Sequence, residues 1–162
     1  SERAALMNYA GFVASGLLLA AFGVGLARGL RRSGLALVGA GLVVVFGIGV
    51  AMSGVFSCDV GCPRTGGSAE NAIHDGLAPP TFLSAIVGAG LLGLHFRGVG
   101  EWRVVGALSL VVSAVALGFL AALVGSLETR ELTGLWQRLL LATLFGWCAV
   151  VGVALFRRGP VG

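Results

Sequence analysis

The stretch that decides the fold is Leu35–Phe56, LALVGAGLVVVFGIGVAMSGVF, which contains no charged residue. A transmembrane helix needs about 20 consecutive apolar residues to cross the hydrocarbon core of a bilayer. A strand of a membrane barrel would instead alternate apolar and polar residues, and this run is continuous. The stretch therefore predicts a helix that spans a membrane.

Outward from this run, four further segments have the same character: Leu6–Ala27, Pro79–Phe96, Val104–Leu127 and Leu135–Phe156. The chain of 162 residues is 57% hydrophobic and 11% charged, with a mean hydropathy of +0.98. A soluble domain carries about 25% charged residues, so lipid must be the solvent for most of this surface. We predict an all-α fold, a polytopic membrane helix bundle of about five transmembrane helices in which residues 1–162 form one domain.

The net charge of +4 does not indicate nucleic-acid binding, because the basic residues lie at the ends of apolar runs and form no patch interleaved with aromatic residues. The expected partners are membrane lipid and other membrane subunits, with no nucleic acid. No residue pattern in the chain indicates a particular cofactor.

The arginines are distributed unevenly between the two ends of the predicted spans. One end carries seven of them, Arg28, Arg31, Arg32, Arg97, Arg103, Arg157 and Arg158, and the other carries only Arg3, Arg64, Arg130 and Arg138. Arginine-rich loops of membrane proteins face the cytoplasm. We therefore expect a cell-membrane protein with its amino terminus outside and its carboxyl terminus in the cytoplasm. An outside amino terminus normally needs a preceding span, which favours a chain that has lost an upstream sixth helix.

Residues 57–77, SCDVGCPRTGGSAENAIHDGL, form the longest polar stretch, and the charge argument places this loop outside the membrane. Ser68 is a suitable cap for a helix that enters the membrane, with Pro79 and Pro80 near its start or kinking it. Cys58 and Cys62 lie in an oxidising compartment in this orientation, and a glycine turn brings such a pair within disulfide range. A disulfide is expected; the alternative is a redox-active pair, although its spacing is one residue longer than Cys-x-x-Cys.

The same loop contains four polar residues able to carry chemistry, Asp59, Glu70, His74 and Asp75. Glu70 and His74 are four residues apart and share one face of a helix, a spacing that suits two metal ligands. His74 is the only histidine on this side, so the histidines of a usual zinc set are lacking. Two interpretations stay open, a metal or acid–base site and a solvated loop whose polar groups satisfy helix ends.

Arg138 falls about one turn inside the fifth apolar run, where a charge is costly unless it is paired or snorkels to the surface. The loop offers Asp59 and Asp75 as partners on the same side. We predict that Arg138 faces the protein and approaches these carboxylates; snorkelling toward lipid phosphates is the alternative. Together with Asp59, His74 and Asp75, Arg138 completes the set of candidate catalytic residues.

Four segments occur in a characteristic order: MNYAGFVASGLLLAAFGVGL, GVFSCDVGCP, the sequence Ile73-His74-Asp75, and GLWQRLLLATLFGW. Together they resemble the integral membrane family known as domain of unknown function 998, over nearly the whole chain. The resemblance implies a six-helix fold with one helix before MNYAGF, and it implies no activity. The recurring polar positions of the family map onto Asn8, Cys58, Asp59, Cys62, His74, Asp75 and Arg138.

Three functions are compatible with the sequence. The first is a non-enzymatic accessory or lipid-binding membrane subunit, favoured by the apolar interiors of the spans. The second is an outer-leaflet enzyme acting on lipid or its head group through Asp59, Glu70, His74 and Asp75. The third, a small-solute transporter, is disfavoured because transporters usually place several polar groups inside the membrane. Convergence of Asp59, His74 and Arg138 on one closed pocket would favour the enzyme.

Overall fold

The computed structural model describes residues 5–30, 33–63 and 65–159, and these residues form five helices long and apolar enough to cross a membrane. We number them α1 (Met7–Gly29), α2 (Gly34–Val55), α3 (Ala69–Arg97), α4 (Arg103–Gly125) and α5 (Thr133–Arg158). A short 3-10 turn, Gly100–Trp102, leads into α4. The predicted all-α membrane bundle is confirmed. Four arginines used in the orientation argument, Arg3, Arg31, Arg32 and Arg64, lie outside the described residues.

The first part of α1, Met7–Val13, is a π-helix, and the amide of Ala14 donates to the carbonyl of Tyr9. Wide turns of this kind are rare and frequently lie at functional sites. Here the widened turn packs on α2, because a Cβ added at Gly54 would lie 2.5 Å from the carbonyl oxygen of Asn8. Asn8 is therefore half-buried beside the carboxyl end of α2.

Helices α1 and α2 are in backbone contact through a pair of glycines. A Cβ added at Gly16 would lie 2.3 Å from the amide nitrogen of Ala51, and one added at Gly47 would lie 2.3 Å from that of Ala20. Small residues at such crossings allow helices to approach closely, and van der Waals packing then replaces the hydrophobic effect as the source of association in lipid.

Helix α3 lies at the centre of the bundle and contributes a row of buried side chains, Phe82, Ala85, Ile86, Ala89, Leu92 and Phe96. Hydrogen bonds between helices add to this packing. The hydroxyl of Ser113 in α4 donates to the carbonyl of Ile86 at 2.9 Å, and the indole of Trp147 in α5 donates to the hydroxyl of Ser109 at 2.8 Å. Such bonds between membrane helices contribute about 0.6 kcal/mol each on average.

The third helix begins at Ala69, about ten residues before the apolar run that starts at Pro79. Ser68 caps it as predicted, since its hydroxyl accepts from the amide of Asn71. Pro79 and Pro80 lie inside the helix. The cap at Ser68 therefore decides where the helix begins, and the prolines do not end it. The polar stretch 57–77 is therefore a loop only as far as Ser68.

Successive helices run in opposite directions, so the bundle has two distinct ends. We call the end formed by residues 56–63, 65–75 and 126–132 the cap, and the opposite end the arginine end. At the arginine end, Ser33 hydrogen-bonds His95 Nδ1 at 3.0 Å. Arg158 donates to the carbonyl of Glu101 and lies 5.8 Å from the centre of the Trp102 ring. These contacts join α2 to α3 and join the carboxyl end of α5 to the α3–α4 connection.

Candidate functional site in the cap

The cysteine loop is closed by the predicted disulfide between Cys58 and Cys62, whose Cα atoms are 5.1 Å apart. The amide of Cys62 donates to the carbonyl of Asp59 at 2.8 Å, which makes this segment a tight turn. Gly61 has a φ of 81°, a conformation that glycine adopts without strain. The disulfide therefore fixes a turn that presents Asp59 toward the second half of the loop.

Asp59 holds the two halves of the loop together through its carboxylate. It accepts hydrogen bonds from the amide of Ser68 at 2.6 Å and from the hydroxyl of Ser68 at 2.7 Å. Hydrogen bonds to the charged form favour that form, so the Ser68 amide and then the Ser68 hydroxyl lower the pKa of Asp59 from 3.8. The carboxylate is thus a charged acceptor at the start of α3, where the helix dipole also favours negative charge.

Asn71 is the buried centre of the cap, with 3% of its surface exposed. Its amide nitrogen donates to the carbonyl of Pro63 at 2.8 Å and to the carboxylate of Asp75 at 3.2 Å, and its oxygen accepts from the amide of Asp59 at 3.2 Å. Sequence reasoning missed this residue. Its position three residues after the cap Ser68 was the available signal, because side chains there reach back over the helix start.

His74 lies on α3 beneath the loop, and its Nδ1 is 2.8 Å from the carbonyl oxygen of Phe56. Its ring also lines a cavity of about 40 Å³ whose walls are Phe12, Val50, Ser53, His74, Ala78, Thr81, Phe82, Gln137 and Leu141. One water needs about 10–15 Å³ of such space. The cavity therefore has room for a few waters and excludes a lipid head group.

The hydroxyl groups around this cavity are used within their own helices. Ser53 donates to the carbonyl of Gly49 at 3.0 Å, and Thr81 donates to that of Leu77 at 2.7 Å. A nucleophilic hydroxyl needs a base within hydrogen-bond reach, and the recorded bonds of Ser53, Thr81 and His74 join none of these side chains to another. The arrangement suits packing beneath the loop and does not form an activated nucleophile.

The prediction that Arg138 approaches Asp59 or Asp75 is wrong. Arg138 is exposed, and its guanidinium donates to the carbonyl of Gly134 in its own helix at 3.0 Å. The loop carboxylates already have partners, Ser68 for Asp59 and Asn71 for Asp75, so nothing draws Arg138 inward.

The arginine that contacts the cysteine loop is Arg130, and it does so through backbone carbonyls and not through the carboxylates expected for Arg138. Its guanidinium donates to the carbonyls of Gly61 at 3.3 Å and Cys62 at 2.7 Å. Its backbone is left-handed, with a φ of 61°, a conformation that costs a non-glycine residue about 1 kcal/mol or more. Arg130 therefore links the α4–α5 loop to the disulfide turn.

Residues 1–154 match the family described as Protein of unknown function (DUF998). The chain belongs to this family. No curated protein and no solved structure matches it. Membership in DUF998 confirms the resemblance drawn from the sequence, and it carries no assigned activity.

In this DUF998 member the candidate metal ligands do not assemble. Glu70 is exposed, and His74 is directed at the carbonyl of Phe56. Within residues 5–30, 33–63 and 65–159, no group of three or more His, Cys, Asp or Glu side chains is arranged to hold a metal ion. Of Asp59, His74 and Arg138, only His74 lines the cavity, so the convergence that would favour an enzyme is not observed.

Proposed function

We propose that this protein is a non-enzymatic membrane protein, an accessory or lipid-binding subunit, and that its cap is a structural element. One observation carries the proposal: the candidate catalytic groups of the cap are hydrogen-bonded to other groups of the cap. The Asp59 carboxylate is bonded to Ser68, the His74 ring to the carbonyl of Phe56, and the Asp75 carboxylate to Asn71. These hydrogen bonds hold each candidate group against another part of the cap.

We also propose that the protein lies in the cell membrane with the cap outside and the arginine end in the cytoplasm. Among the described residues, the arginine end carries five arginines, Arg28, Arg97, Arg103, Arg157 and Arg158, and the cap side carries Arg130 and Arg138. This imbalance supports a cytoplasmic location for the arginine end. The disulfide supports an outside cap, because disulfides persist in oxidising compartments.

The structural role of the cap is tested by comparing the stabilities of variants, with no need to know a substrate. Groups retained for catalysis often destabilise the fold, so removing them leaves stability unchanged or raises it. Removing a group that is retained for structure lowers the stability. We expect His74→Ala and Asp59→Asn each to lower the thermal unfolding midpoint of the purified protein, while Glu70→Gln, which changes an exposed neighbour, leaves it unchanged. Unchanged or higher midpoints for both cap variants would overturn the structural interpretation.

A second measurement separates this proposal from an outer-leaflet enzyme. The purified protein is reconstituted in nanodiscs and analysed for bound metal by elemental analysis, and its lipids are analysed for changed head groups by mass spectrometry. We expect no stoichiometric metal and unchanged lipids. A metal bound at one equivalent and lost in His74→Ala would point to the enzyme.

A further inference from the structure

An open groove of about 420 Å³ lies at the arginine end, lined by Arg97, Arg103 and Ala107. Arg97 is the last residue of α3 and Arg103 the first of α4. Arg103 and Ala107 are four residues apart and so share one face of α4. A Cβ added at Gly106 would lie 2.6 Å from the amide nitrogen of Arg97, so this glycine brings the two helix ends together. The short side chain of Ala107 leaves the space between the arginines open.

The two guanidinium groups are available to a ligand. Both side chains are exposed, and the hydrogen bonds found in the described part of the chain include none from either guanidinium to a carboxylate. Arg158 differs, since it is engaged by the carbonyl of Glu101 and by the Trp102 ring. The groove is therefore positively charged and suits an anion with two or more acceptor oxygens.

The position of the groove indicates where such an anion comes from. Arg97 and Arg103 end and begin membrane-length helices, which places them at the level of lipid phosphates. From this level, exposed apolar side chains run toward the middle of the helices. Leu94 is one turn before Arg97, and Val111 is one turn after Ala107. The charged groove thus continues into an apolar surface of the kind that acyl chains cover.

We propose that this groove binds the phosphodiester head group of an anionic phospholipid, with its acyl chains along Leu94 and Val111. The inference rests on the lipid-binding part of the proposed function and names the class of lipid. A zwitterionic head group carries its own cation, which weakens its attraction to two arginines. Each arginine near an anionic head group is worth about a fivefold change in affinity, so the pair contributes roughly 25-fold.

The test is native mass spectrometry of the full, delipidated protein titrated with phosphatidylglycerol and, separately, with phosphatidylcholine. We expect the first lipid to bind more tightly. The double variant Arg97→Gln/Arg103→Gln should lose about 25-fold in affinity for phosphatidylglycerol and keep its affinity for phosphatidylcholine. The matched control is Arg157→Gln, which removes an exposed arginine of the same end that does not line the groove. A loss of about fivefold in this control, the share of one arginine, would show diffuse attraction and overturn the proposal.

A second variant, Ala107→Phe, fills the groove and keeps both charges, so it decides the question if the double variant misfolds. It should lower phosphatidylglycerol binding at least fivefold, and unchanged binding would overturn the proposal. Inorganic phosphate at matched ionic strength should not displace the lipid; displacement would assign the groove to free phosphate. If lipid binding does not change in the Arg97, Arg103 and Ala107 variants, only this inference fails. The proposed function is tested separately, by the stabilities of the Asp59 and His74 variants.

Discussion

Asn71 connects three separate pieces of the cap: the disulfide turn through Asp59, the following segment through Pro63, and the next turn of α3 through Asp75. The contribution of this buried amide to stability comes mainly from the polar groups to which it is hydrogen-bonded, because they would otherwise be buried without partners. Removing it leaves a carbonyl and an amide without partners, and each such group costs about 1–3 kcal/mol when buried.

We therefore expect Asn71→Leu to destabilise the protein by about 2–4 kcal/mol, measured as the change in free energy of unfolding in detergent. Glu70→Leu is the matched control, because Glu70 is the exposed residue beside it on the same turn, and its replacement should change stability by less than about 0.5 kcal/mol. Similar losses in the two variants would contradict the role given to Asn71.

The lowered pKa of Asp59 predicts how the cap responds to acid. A carboxyl group with a folded pKa below its unfolded value contributes stability that is complete above the unfolded value of 3.8 and is lost as pH falls through the folded pKa. The thermal midpoint of Asp59→Asn should lie below that of the parent near pH 7, and the two should converge below pH 3.8. A difference that is constant down to pH 3 would show that the charge of Asp59 does not stabilise the cap.

These residues also show where sequence reasoning failed. The charge, depth and spacing of Arg138 favoured an ion pair with the loop, but that prediction assumed unpartnered carboxylates. Ser68 and Asn71 had already satisfied them, and nothing in the linear spacing reveals which donor reaches an acceptor first. Arg130 was passed over because its two acceptors are backbone carbonyls, which no sequence pattern marks.

At the scale of helices, the five spans were predictable because lipid requires long apolar segments, and their order then gives an antiparallel bundle. The start of α3 was predictable from Ser68, a preferred capping residue, whereas hydropathy alone starts the third apolar run about ten residues later, at Pro79. The close backbone contact between α1 and α2 was also missed. Glycine and alanine are so frequent in this chain that Gly16 and Gly47 do not stand out from glycines that touch nothing.

The contact between α1 and α2 gives a prediction with an internal control. Gly47→Ala adds a methyl group 2.3 Å from the backbone of Ala20, where the neighbour cannot move aside, so we expect a loss of about 1–3 kcal/mol. Gly41→Ala, on the same helix, has nothing within 4 Å of the new methyl group and should be neutral or stabilise by up to about 1 kcal/mol. Unfolding in detergent measures both, and equal effects would place the helix contact elsewhere.

Removing the disulfide should lower the free energy of unfolding only modestly, because the loop that it closes is short. For a ring of five residues the chain-entropy estimate is about 2 kcal/mol. The variant Cys58→Ser/Cys62→Ser should therefore still fold and should lose no more than about this amount. A loss well above it would show that the bridge does more than restrict the unfolded chain.

At the scale of the whole molecule, the proposed orientation gives a direct prediction. Glu128→Cys places an exposed thiol at the cap, and Gly100→Cys places one at the arginine end, while the native free thiol, Cys148, is buried. An impermeant maleimide added to intact cells should label the first variant and leave the second unlabelled until the cells are opened. The reverse pattern would invert the topology and would remove the oxidising environment assumed for the disulfide.

The length of α3 determines how far the cap stands from the lipid. Its 29 residues extend about 43 Å, and the hydrocarbon core of a bilayer is about 30 Å thick. The excess of about 13 Å falls largely in its polar first turns, which carry the disulfide turn with them. The side chain of Val60 at the tip of that turn is fully exposed. A bilayer with its head groups is about 40–45 Å thick, so α3 reaches from one head-group surface to the other and presents Val60 where a nanobody can bind it.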